Sequence, residues 1–131
     1  MARRKLEQFH QENSTWKRTL DFMEQENAYM KNRLSKVLDI HHTPDFLDWA
    51  ENYQNQMLMK EEAIDLLKQD INAQEKRLAS EYLFEGQPLN TDIVKSQNQL
   101  RLQMNYVEEE FFHMKKSFNE FLVKNVLHEY E

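Results

Sequence analysis

Apolar side chains recur at alternating intervals of four and three residues along three long stretches of the chain. That spacing is one face of a helix wound at about 3.5 residues per turn. The first stretch, residues 3–38, places Leu6, Phe9, Asn13, Trp16, Leu20, Met23, Asn27, Met30, Leu34 and Val37 on the face without a slip. The second, residues 44–85, gives Phe46, Ala50, Tyr53, Met57, Lys60, Ile64, Leu67, Ile71, Gln74 and Leu78. The third, residues 91–130, gives Ile93, Gln97, Leu100, Met104, Val107, Phe111, Met114, Phe118 and Phe121. In the second stretch a further row, Trp49, Met59, Ala63, Leu66 and Ala73, lies beside the first. An apolar face of that width predicts a helix that touches two partners.

The residues between the stretches are those that start and stop helices. Thr43-Pro44-Asp45 supplies a capping hydroxyl, a proline where no amide is missed and an acid facing the positive end of the helix dipole. Gly86, the chain's single glycine, stands with Pro88 where a left-handed stop is expected. Asn90 is placed to cap the third helix. The connections 39–42 and 87–90 are short, so each helix must return antiparallel to the one before it. The fold class that follows is all-α: an elongated antiparallel three-helix bundle with coiled-coil-like packing, one domain over residues 1–131 and about 60 Å long. Folding about the loops aligns residue i of the first helix with 82 − i of the second, and residue j of the second with 176 − j of the third. This register gathers Tyr29, Phe46, Trp49, Tyr53, Phe118 and Phe121 at the end near His41-His42.

Two features of the pattern bear on association. Asn13 and Asn27 interrupt the first apolar face, and buried asparagine at such positions fixes register at a cost in stability. Toward the end of the third stretch the apolar residues point in several directions, more than three helices can cover. Leu122, Val123, Val126, Leu127 and Tyr130, with Phe22 and Tyr29 off the face of the first helix, are therefore the expected interface, of a homodimer or with a partner protein.

Composition narrows the alternatives. A chain of 131 residues with one Gly, two Pro and no Cys has few loops and no disulfide framework or thiolate metal site. The start lacks the apolar run of a signal peptide and no stretch is apolar enough to span a bilayer, so a cytoplasmic protein without membrane contact is expected. The net charge of −6 is uneven: residues 1–40 carry 8 basic and 6 acidic groups, residues 41–86 carry 4 and 10, and residues 87–131 carry 5 and 7. An acidic central helix beside a mildly basic first one suits pairing within the chain. No basic stripe runs along a helix, which speaks against nucleic acid as a partner.

The most specific chemical pattern is Glu-x-x-His, present as Glu7 to His10 and Glu110 to His113. Carboxylate-bridged di-iron bundles use that spacing to aim both ligands at one metal pair. Here Phe9 and Phe111 hold the core-facing positions between acid and imidazole, so both patterns are expected at the surface. Glu110 and His113 are the better metal alternative. With one glycine there is no phosphate-cradling loop, and no Ser, His and Asp constellation appears. The sequence thus predicts a non-enzymatic structural or protein-interaction module that needs no cofactor.

Overall fold

The computed structural model describes residues 2–83 and 87–126. Among them α1 runs Ala2–Leu38, α2 Pro44–Glu81 and α3 Thr91–Asn125, with no strand. The expected starts hold. Thr43 is extended and its hydroxyl accepts from the Phe46 amide at 3.4 Å, while Pro44 opens α2. Asn90 caps α3, its side chain accepting from the Asp92 amide at 2.8 Å.

The expected end of α2 needs correction, and the expected end of α3 at 130 lies outside the described residues. α2 stops at Glu81, where the Leu83 amide reaches back only to the Ser80 carbonyl and the last turn tightens. The physical reason is in the pattern. After Leu78, the last buried residue of α2, the four-three spacing falls on Glu81, an acid at a core-facing position, so the apolar face of the helix is interrupted there. Gly86, expected to stop the helix, lies outside the described residues, as do Glu85, Leu127 and Tyr130. α3 closes at Asn125, with the Val126 amide bonded to the Leu122 carbonyl.

α2 is the central element: it packs closely along both neighbours, whereas α1 and α3 approach each other closely at few points. Its core-facing residues divide the work. Tyr53, Lys60 and Gln74 reach α3, and the residues that follow the last two, Glu61 and Glu75, reach α1. The further row expected to widen this contact is instead largely outside: Met59, Leu66 and Ala73 are exposed, with Trp49 and Ala63 half-buried.

Between α1 and α2 the register is close to expectation. His10 meets Glu75 and Asn27 meets Met57, pairs whose numbers add to 85 and 84 against the expected 82, while the longer-reaching ion pairs Lys31–Glu61, Lys68–Asp21 and Lys68–Glu24 add to 92, 89 and 92. Between α2 and α3 it is shifted by six: Tyr53 with Ser117, Lys60 with Glu110 and Trp49 with Phe121 each add to 170, against 176. Because α2 ends four residues early, the point about which α3 folds back moves with it.

The face positions fill the interior. The main core runs from Leu20, Ile71 and Leu100 to Leu34, Phe46 and Leu122. A smaller cluster of Leu6, Phe9, Leu78 and Ile93 closes the opposite end. Between the two lie three polar side chains.

Candidate functional site

Asn13 of α1, Gln74 of α2 and Gln97 of α3 occupy core-facing positions at one level, and each is 0% exposed. Gln97 links the other two. Its Nε2 donates to Asn13 Oδ1 at 2.8 Å, and its Oε1 accepts from Gln74 Nε2 at 3.2 Å. Gln74 Nε2 also donates to the Ile93 carbonyl at 3.0 Å. Asn13 Nδ2 and Gln74 Oε1 have no protein partner. The layer is thus only partly satisfied, which makes it costly and position-specific, since any axial slip would leave further amides unpaired. Asn27 repeats the theme between two helices, donating from Nδ2 to the Met57 carbonyl at 2.9 Å.

The rim of the layer is ionic. Gln97 Nε2 donates to Glu12 Oε1 at 2.9 Å, and Arg101 clasps the same carboxylate with two nitrogens, Nε to Oε2 and Nη2 to Oε1, both at 2.7 Å. Partial burial pushes the Glu12 carboxyl up, but hydrogen bonds from Arg101 and Gln97 outweigh it and hold the group below its ordinary range. The same hydrogen bond raises Arg101 further above its already high value against the opposing effect of burial. Two-point Arg–carboxylate pairing is directional, so this pair sets how α1 and α3 sit relative to each other. The pair was not among the expected site residues. Its signal in the sequence is opposite charge at positions flanking the core face on the first and third helices.

Other cross-helix charges follow the uneven distribution only in part. Lys31 with Glu61 and His10 with Glu75 put the basic partner on α1, as expected, but Lys68 of α2 reverses the sense by binding Asp21 and Glu24, each at 2.6 Å. Burial lowers the Lys68 ammonium, and the two carboxylates more than restore it, leaving it raised.

At the end near the His41-His42 turn the expected aromatic cluster forms from five of its six residues. Trp49 stacks on Phe121 and on Phe118, and Phe46 and Tyr53 pack at tilted angles within 5.9 Å. Tyr29 stands outside it, 67% exposed.

Of the expected interface, Leu122 and Val126 are buried within the chain, so its own fold covers them. Phe22, Tyr29 and Val123 are exposed, and Leu127 and Tyr130 lie outside the described residues. The Glu-x-x-His residues stand apart from one another. His10 is exposed and turned to Glu75 on α2, Glu110 faces Lys60 at 3.9 Å, and His113 is exposed. Among the described residues no group of three or more His, Asp or Glu side chains is placed to hold a metal ion, and no helix is long and apolar enough to cross a membrane.

No known family, no curated protein and no solved structure matches the chain.

Proposed function

We propose that this chain is a non-enzymatic interaction module: a long helical bundle whose outer helix faces bind protein, in the first instance another copy of itself. The observation that supports this reading is the division of its polar and apolar groups. The buried polar groups are committed to joining the three helices, while every helix keeps large apolar side chains at least half exposed: Phe22 and Tyr29 on α1, Leu58, Met59 and Leu66 on α2, and Leu102 and Phe112 on α3. Large apolar side chains left in solvent in contiguous patches normally mark a binding surface.

Sedimentation equilibrium over a wide range of concentration tests the reading. The expected result is a reversible rise from monomer mass toward dimer mass. A constant monomer mass up to the solubility limit would remove self-association.

A further inference from the structure

The outer face of α3 carries a second row of residues, separate from the one that faces the core, and this row reads alike in both directions. Phe112 is at its centre, 50% exposed. Glu109 lies three residues before it and Lys116 four after. Asn105 and Asn119 come next, and Leu102 and Val123 close the two ends, 71% and 56% exposed. The intervals alternate three and four throughout, so these residues share one stripe of the helix. The two members of each pair have numbers adding to 224 or 225, twice that of Phe112 to within one.

We infer that a second copy of this chain docks on this stripe, α3 against α3 antiparallel, across a two-fold axis beside Phe112. Reversal of one copy sets Leu102 against Val123, Asn105 against Asn119, Glu109 against Lys116 and Phe112 against itself. Apolar meets apolar, amide meets amide and acid meets base, twice each by symmetry. A parallel pairing would instead oppose Glu109 to Glu109 and Lys116 to Lys116, at a cost comparable to the gain of the antiparallel one. Self-complementarity of this kind is what a two-fold interface requires, and it is why the occupant is another copy and not an unrelated protein.

The inner neighbours obey the same rule. Glu108 and Lys115 sit one residue before Glu109 and Lys116 and face each other across the same axis, although Lys115 is also engaged by Glu26 of its own α1. That Glu26–Lys115 pair brings α1 alongside the centre of the stripe, with Phe22 and Tyr29 in positions before and after Glu26. They extend the apolar surface on the flank. Within the described residues Glu109 and Lys116 make no ion pair or hydrogen bond in the chain, which leaves both for the second copy. From Leu102 to Val123 the stripe is about 32 Å long, three heptads of contact.

This inference rests on the self-association proposed above and specifies its surface, and charge exchange separates the two. Glu109→Lys and Lys116→Glu lie on the exposed face and should leave helicity unchanged by circular dichroism. Each alone places like charges opposite each other twice per dimer and should weaken dimerisation by about tenfold in sedimentation equilibrium. An equimolar mixture of the two variants, and the double variant E109K/K116E, should both dimerise about as well as the original chain. Direction is read independently by oxidation, since the chain has no cysteine of its own. Asn105→Cys mixed with Asn119→Cys should cross-link to each other, and neither should cross-link to itself. A dimer indifferent to both charge variants, or Asn105→Cys cross-linking to itself, overturns the antiparallel stripe and leaves self-association standing. A monomer at every concentration overturns both.

Discussion

At the scale of single residues Gln97 ties the three helices together, because its one amide serves three neighbours on α1 and α2 at no exposure. Gln97→Leu removes both functions of that amide and leaves Asn13 Oδ1 and one Gln74 hydrogen buried without partners. The expected loss is about 2 kcal/mol in urea unfolding, the range for orphaning buried polar groups. Converting Asn13, Gln74 and Gln97 together to Leu removes the orphans along with the bonds, so the triple variant should be at least as stable as the original chain. If Gln97→Leu changes stability by less than about 0.5 kcal/mol, the layer does not set the register. Glu12 gives a prediction in pH. Its folded-state pKa is depressed, so the stability it contributes is present above the ordinary glutamate pKa of about 4.3 and is lost as pH falls through the lower folded-state value. Glu12→Gln should therefore be less stable than the original chain near neutrality, and the gap should close on acidification below about pH 4.

Among the elements, α2 and α3 start in the same way but with caps of different quality. The Asn90 bond to the Asp92 amide is 2.8 Å, whereas the Thr43 bond to the Phe46 amide is 3.4 Å. Both substitutions by alanine should cost on the order of 1 kcal/mol, with Asn90→Ala the larger, since a bond at the long limit contributes less. Thermal unfolding of the two variants side by side decides the order, and a larger effect at Thr43 would contradict it. These starts were legible in the chain because a cap is a local event involving residues two or three apart. The end of α2 was less so. Gly86 and Pro88 signalled a stop, but the helix ends at Glu81, where the core-facing spacing meets an acid. A stop set by packing is not written in the stop residues.

For the whole molecule, three helices of 37, 38 and 35 residues laid side by side make a rod of about 55 Å, which small-angle scattering would report as its longest dimension within the usual hydration shell. Stability along this rod should be unequal. Trp49 is stacked between α2 and α3 on Phe118 and Phe121, so Trp49→Ala should cost about 3–5 kcal/mol. Tyr29, assigned by sequence to the same cluster, is outside it, and Tyr29→Ala should change the monomer's stability by less than about 0.5 kcal/mol. Equal effects at the two positions would mean that Trp49 is not anchored between α2 and α3.

The four-three spacing of apolar residues determined the class of fold, the number of helices and nearly all of the core, because burial of one helix face depends only on which positions share that face, and the short connections determined the antiparallel order. It also placed Asn13, Asn27, Gln74 and Gln97 inside, and all four are buried. Tertiary structure decided what those positions meet. Heptads repeat, so a slip of one heptad again sets apolar positions against apolar positions, and the pattern alone does not choose among registers. The choice between α2 and α3 fell to the early end of α2 and to amides such as Gln74 and Gln97, which pair at one level only. The same limit applied to the surface: Leu122 and Val126 looked surplus to three helices, yet the fold covers both, while Leu102 and Phe112 remain outside. Which apolar residues are left over depends on how closely neighbouring helices approach, and that distance is a property of the assembled bundle.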